Sequence, residues 1–300
     1  MKFETPFSRE DLDRAREIEA SREMHADAWF VGVQAYGRFV VEFMKPNLCG
    51  LIGRRSLREE GVLDIYYGIV GFLLSLDALR NPWHVQAIAS CARSIFELYN
   101  DLLLLTQSGQ RAERFRGFTE VEKLRVATAR TAFYEAHPEL PESQIMQPQR
   151  DFIRDEGPRI EAEVQRLWPE GWPRHWSGIR EARQRAQAAG LECESLYWQY
   201  YAHLSWYVHT ASVGTMGLSK EDLHVVIANA LELVRRTVPT AFGIVAREVK
   251  LDAVIDHLEE KLDFLRRVFF YRLTALKLGQ PERFNFLDDV APNPQASDAG

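Results

Sequence analysis

The sequence contains little cysteine, glycine or proline, and it lacks a long uncharged apolar run. Its 3 cysteines, Cys49, Cys91 and Cys193, lie far apart without the spacing of a zinc site or a disulfide framework. The 18 glycines and 13 prolines are too scattered for a low-complexity chain. The most apolar stretch, 65–76, is too short to cross about 30 Å of hydrocarbon at about 1.5 Å per residue. These absences predict a globular protein with buried thiols and no membrane partner.

The sequence has no excess of positive charge either. The sequence has 37 basic and 43 acidic residues, for a formal net charge of -6. This balance argues against a DNA-binding protein, a general nucleic-acid coat and a cationic membrane binder. The first residues are polar and lack the apolar segment of a signal peptide, so we expect a cytoplasmic location.

What the sequence does contain is helical periodicity throughout. With 46% hydrophobic residues over 300 positions, it can bury a sizeable core. Apolar residues recur at helical spacing, and the runs end at proline or glycine, whereas alternating strand patterns and fixed-period repeats are missing. The pattern predicts an all-α bundle of about seven long helices with an inserted helical layer. Among the predicted helical runs are 8–43, about 56–79, 118–137 and about 252–278.

The domain organisation predicted from this pattern is a single helical domain over residues 1–278. Its bundle core covers about 8–110 and 191–278, and a charged helical insertion covers about 111–190. Residues 279–300 are rich in proline and acidic side chains and are expected to form a loose tail. Within the insertion, the segment WPEGWPRHWSG (168–178) predicts an irregular loop anchored by aromatic residues.

One polar stripe lies on the predicted helix 84–106. Arg93, Glu97 and Asp101 follow one another at four-residue steps, which places them on one face of an otherwise apolar helix. Charges that enter a largely buried environment need partners, so this stripe is expected to face other polar groups.

A second polar stripe lies on the predicted helix 191–212. Tyr201, Ser205 and His209 also follow one another at four-residue steps, and Ser212 comes just beyond them. We expect the two stripes to face each other.

Two interpretations of the facing stripes stay open. In the first, the groups hydrogen-bond to one another and fix the register of the helices. In the second, they form a catalytic or ligand site. There His209 would transfer protons, Arg93 would hold a phosphate or carboxylate, and Glu97 with Ser205 would orient them. Tyr201, Asp101 and Ser212 would then contact the ligand.

The residues RSIFE (93–97) and YAHLSWYVH (201–209) resemble the RxxxE and YxxLSxxxH signatures of DUF5677, an uncharacterised all-helical bacterial family. This resemblance covers about 29–214 and implies a helical bundle without assigning an activity. More remotely, the arrangement is similar to HEPN domains, many of which are metal-independent ribonucleases of bacterial defence and toxin systems. Such nucleases carry arginine followed by histidine a short distance later in one helix. Arg130 and His137 fit that spacing, but a single match is expected by chance in an arginine-rich chain.

Two segments carry a local excess of positive charge, 111–130 and 174–185, and the simplest interpretation is a solvated helix face. If these segments flanked Trp168, Trp172 and Trp176, cationic and stacking groups would lie together, as binding of single-stranded RNA requires.

The nucleotide-loop, dinucleotide, zincin, hydrolase and di-iron motifs are missing, so we expect no metal or other cofactor. Two hypotheses follow. The first is a binding or regulatory module with an Arg-Glu-Ser-His network that is structural or holds a small polar ligand. The second is a ribonuclease-like effector that acts on RNA. Whether the chain forms a homodimer or binds a partner protein is left open.

Overall fold

The structure is a computed structural model that describes residues 56–79, 84–141, 144–208 and 220–250. These residues form helices joined by turns and loops, without a strand among them, which confirms the predicted all-α fold. The helices predicted at 8–43 and 252–278, and the tail 279–300, lie outside the described residues. Within the described ranges, each helix is either too short or too polar to cross a bilayer.

The helices are numbered here in chain order. They are α1 (Leu57–Ala78), α2 (Val85–Thr106), α3 (Gly109–Ala136), α4 (Met146–Leu167), α5 (Ala182–Ala189), α6 (Leu191–Leu196), a π-helical segment (Tyr197–Tyr201), α7 (Ala202–Val208) and α8 (Lys220–Glu248).

The start of α1 is determined by a local capping box. The hydroxyl of Ser56 accepts a hydrogen bond from the backbone N–H of Glu59, and the Glu59 carboxylate accepts one from the backbone N–H of Ser56 at 2.7 Å. These two bonds satisfy donors that would otherwise be unpaired at the helix start, so α1 begins where the sequence predicts.

The centre of the bundle is α2, which packs against α1, α5, α7 and α8. Its apolar face enters the main core together with large side chains from α1 and α8, such as Tyr66 and Phe242. Full burial of a side chain such as Phe96 stabilises the fold by about 1.5–3 kcal/mol. Polar groups on α2 are therefore held in place by a surrounding apolar core.

A smaller apolar cluster lies between α3 and α4. Val121 and Leu124 on α3 pack against Ile160 and Val164 on α4. This pair of helices corresponds to the predicted insertion at 111–190, whose exact boundaries, like the single-domain assignment, stay predictions.

The first turns of α3 differ from the sequence prediction. The pattern predicts a helix that begins at Phe118, whereas α3 begins at Gly109. The charged segment in between is helical because Ala112 is buried in the main core and the ring of Phe115 packs edge-on against Trp176, with 5.4 Å between ring centroids. These two contacts with distant residues outweigh the low aliphatic content of the segment.

The loop 168–181 between α4 and α5 is irregular, as predicted. Trp168 and Trp176 are buried, and the indole N–H of Trp168 donates a hydrogen bond to the backbone oxygen of Trp176 at 3.0 Å. The two rings therefore fasten the loop to the helices.

Candidate functional site

The polar stripe on α2 exists as predicted. Arg93, Glu97 and Asp101 lie on successive turns of this helix, and each side chain is at least partly removed from solvent. Because the helix is central to the bundle, its polar face meets groups from three other parts of the chain.

Glu97 is the centre of this network. One carboxylate oxygen, Oε1, accepts a hydrogen bond from the hydroxyl of Tyr201 at 2.5 Å. The other, Oε2, accepts one from the guanidinium of Arg185 at 2.9 Å. Both oxygens of Glu97 therefore have a close donor, and both donors come from elements distant in sequence.

Arg93 forms no hydrogen bond with the carboxylate of Glu97. The shortest distance between its guanidinium and the Glu97 carboxylate is 3.9 Å, which is too long for a hydrogen bond. Its Nη2 donates instead to the hydroxyl of Tyr201 at 2.9 Å, and the guanidinium lies 4.7 Å from the centre of the same ring. The buried Nε–H of Arg93 has no hydrogen-bond acceptor among the described residues. The side chain of Arg93 is only 13% exposed, so its positive charge is largely buried. Its hydrogen-bond donors do not all have an acceptor among the described residues.

Tyr201 reaches the network from the π-helical segment. A π-helical turn contains an extra residue, which rotates the side chains that follow it, and such turns are frequent at functional sites. The ring of Tyr201 packs against Phe96 and stacks on Tyr197, with centroid distances of 5.3 and 5.1 Å. Burial, and then the negative charge of Glu97, raise the pKa of Tyr201 to about 12. Its hydroxyl is therefore neutral and can both donate to Glu97 and accept from Arg93 at neutral pH.

Arg185 belongs to the network although its sequence position does not predict this. This arginine lies on α5 with its side chain 7% exposed, and its Nη1 also donates to the backbone oxygen of Arg180 at 2.8 Å. It belongs to a segment predicted as a solvated basic face, and for this residue that prediction is wrong, because Arg185 enters the interior to pair with Glu97.

Asp101 has a different partner from the rest of its stripe. Its Oδ1 lies 3.3 Å from Nε2 of His175, which belongs to the loop 168–181. The other ring nitrogen of His175 lies 2.8 Å from the hydroxyl of Ser177. Sequence reasoning missed His175 because a loop has no periodicity to show which side chains face a helix.

Part of the second predicted stripe contacts the polar residues of α2. Tyr201 contacts both Arg93 and Glu97, whereas the hydroxyl of Ser205 donates to the backbone oxygen of Tyr201 at 3.0 Å. His209 and Ser212 lie outside the described residues. The predicted meeting of Arg93 and His209 therefore stays a prediction.

The other sequence candidates lie away from this network. His137 is exposed at the end of α3, where its Nδ1 lies 3.1 Å from Glu139. Of the three tryptophans in the loop 168–181, Trp168 and Trp176 are buried and do not form a surface for base stacking, whereas Trp172 is exposed. Among the described residues, no three potential metal ligands lie close enough together to hold an ion.

These features define an all-α protein with a partly buried network of two arginines, a glutamate and a tyrosine at the centre of a helical bundle. Comparison with models of protein families matches residues 72–222 to a family of unknown function, DUF5677. The chain belongs to this family, which confirms the resemblance predicted from the RxxxE and YxxLSxxxH signatures. The match contains both signatures, including His209. No curated protein and no solved structure matches the chain.

Proposed function

We propose that the protein is a binding module in which Arg93 holds a small anionic ligand. The observation that carries this proposal is the position of Arg93 relative to Glu97. The oxygens of Glu97 accept hydrogen bonds from Tyr201 and Arg185, and the guanidinium of Arg93 lies 3.9 Å away, so among the described residues Arg93 forms no carboxylate hydrogen bond.

The charge balance of the network supports an anionic ligand. Two guanidinium groups face one carboxylate, and the hydroxyl of Tyr201 is neutral, so the four groups carry one excess positive charge. A partly buried guanidinium with donors to spare is suited to a carboxylate or phosphate, which can accept two parallel hydrogen bonds. The Glu97 side chain, 36% exposed, shows that solvent reaches the edge of the network.

The test is a titration of the purified full chain with inorganic phosphate and with citrate by isothermal calorimetry. We expect saturable binding that weakens about tenfold in Arg93→Gln, because a charge-assisted hydrogen bond contributes about 1.5–3 kcal/mol. The control is Arg236→Gln, which removes a comparable, partly exposed arginine that hydrogen-bonds to Glu232 at 2.7 Å. Equal affinities of the parent and Arg93→Gln for both anions would contradict the proposal.

The guanidinium of Arg93, which has no carboxylate hydrogen bond among the described residues, also supports one alternative function, a ribonuclease-like effector. A guanidinium that forms no carboxylate hydrogen bond with the described residues suits a phosphodiester as well as a small anion. In this alternative His209 transfers protons, Arg93 stabilises the phosphate, and Glu97 with Ser205 orients them.

Expression in a bacterial host separates the two functions. A ribonuclease would cleave total RNA or slow growth, and both effects would disappear in His209→Ala and in Arg93→Gln while the proteins stay folded. Intact RNA and normal growth with the parent chain would exclude the enzyme and leave the binding module.

A further inference from the structure

A separate cleft opens between α3, α4 and the loop 168–181, and we name it the Trp172 cleft. Its volume is about 550 Å³, within the usual range of small-molecule sites. Its walls include both apolar and charged side chains, among them Leu124, Arg125, Ala129, Glu161, Trp172 and Arg174.

Trp172 is exposed although the backbone around it is firmly held. Its side chain is 49% exposed, whereas Trp168 and Trp176 on either side of it are buried. The backbone oxygen of Pro173 accepts a hydrogen bond from the guanidinium of Arg125. A large aromatic ring on a fixed loop loses little conformational entropy when a ligand binds. Trp172 is therefore a preorganised side of the cleft.

The cleft also contains two charges without ion pairs. Arg125 is already engaged by Glu122 and by the backbone of Pro173. In contrast, neither Arg174 on the loop nor Glu161 on α4 forms an ion pair with any residue that the structure describes. The cleft therefore offers one available cation and one available anion beside an apolar wall.

We propose that the Trp172 cleft binds a small zwitterion with an apolar or aromatic group, such as a free α-amino acid. Arg174 pairs with the ligand carboxylate, and Glu161 pairs with the ligand ammonium. The apolar group packs between Trp172 and the side chains of Leu124 and Ala129. This inference is independent of the proposed role of Arg93.

The experiment uses L-phenylalanine as the probe, titrated into the full chain by isothermal calorimetry. We expect saturable binding that weakens about tenfold in each of Trp172→Leu, Arg174→Gln and Glu161→Gln. Two variants at other exposed positions, Trp198→Leu and Arg180→Gln, serve as matched controls and should bind as the parent does. All five changes are at exposed positions, so their thermal midpoints should stay close to that of the parent.

Two analogues assign the charges separately. Phenylpropionate lacks the ammonium, so its affinity should fall in Arg174→Gln and stay unchanged in Glu161→Gln. Phenethylamine lacks the carboxylate, so the opposite pattern is expected. The inference is overturned if L-phenylalanine does not saturate the parent, or if the cleft variants bind it as the two controls do.

Discussion

Two clusters in this bundle contain one glutamate and two arginines, yet they are built differently. On α8, Glu232 accepts hydrogen bonds from both Arg235 and Arg236, which lie on the next turn of the same helix, at 2.7–2.9 Å. On α2, Glu97 accepts hydrogen bonds from Arg185 and Tyr201, and Arg93, on its own helix, lies 3.9 Å away.

The two clusters differ in which groups donate hydrogen bonds to the carboxylate. In the cluster on α8, Arg235 donates two hydrogen bonds to the carboxylate of Glu232, and Arg236 donates one. In the network on α2, donors from distant parts of the chain hydrogen-bond to the carboxylate, and the nearby Arg93 forms only a longer ion pair with it, at 3.9 Å. This difference is the reason why the proposed binding site is the α2 network and not the α8 cluster.

The largest effect on stability is expected from Glu97→Ala. This change leaves the guanidinium of Arg185 in the interior without the carboxylate that it contacts, which should lower the free energy of unfolding by about 3 kcal/mol. Urea unfolding measures the change. The control is Glu113→Ala, which breaks an exposed pair with Arg166 and should cost much less than Glu97→Ala. Equal losses in the two variants would show that the network on α2 is not a buried one.

A somewhat smaller loss, about 2 kcal/mol at neutral pH, is expected from Glu232→Gln, because charge-assisted hydrogen bonds to two arginines become neutral ones. Burial acts to raise the pKa of Glu232, but the hydrogen bonds from Arg235 and Arg236 outweigh it, so its pKa lies below the ordinary 4.5.

This lowered pKa determines how the effect of Glu232→Gln depends on pH. A carboxylate with a lowered pKa stabilises the folded state above the pKa of the unfolded chain, and the contribution disappears as pH falls through the folded pKa. The difference between the parent and Glu232→Gln should therefore be constant above pH 4.5 and shrink below it. A difference that grows as the pH falls would contradict this assignment.

Tyr201→Phe should lower the free energy of unfolding by about 1 kcal/mol, because it removes the hydroxyl that joins Arg93 to Glu97. Thermal unfolding checks this value, with Tyr134→Phe on α3 as the control. Loss of the hydroxyl without any cost would mean that these hydrogen bonds do not matter for stability.

The smallest effect on stability is expected from Arg93→Gln, about 0.5 kcal/mol. The change removes the hydrogen bond to the Tyr201 hydroxyl and the contact with its ring, but it also removes a largely buried charge whose Nε–H has no acceptor among the described residues. The same variant is expected to lose anion binding. A loss of stability as large as that of Glu97→Ala would instead make Arg93 a structural residue.

The helices and the polar face of α2 could be predicted from the sequence, because both depend on helical spacing. Four-residue steps place Arg93, Glu97 and Asp101 on one face, and the structure confirms that face. Arg185 could not be predicted, because it pairs with Glu97 across 88 residues and its own segment is polar and short. The π-helical segment could not be predicted either, because its residues, YWQYY, carry no local signal that distinguishes a π-helical turn from an α-helical one.

The most direct test of the account is a pair of double-mutant cycles that share Glu97. One cycle combines Glu97→Gln with Arg185→Gln, and the other combines Glu97→Gln with Arg93→Gln, each measured as the free energy of unfolding in urea. We expect a coupling energy of about 1.5 kcal/mol or more between Glu97 and Arg185, and less than about 0.5 kcal/mol between Glu97 and Arg93. A coupling to Arg93 equal to or larger than that to Arg185 would contradict it, because Arg93 would then be paired with Glu97 and unavailable to a ligand.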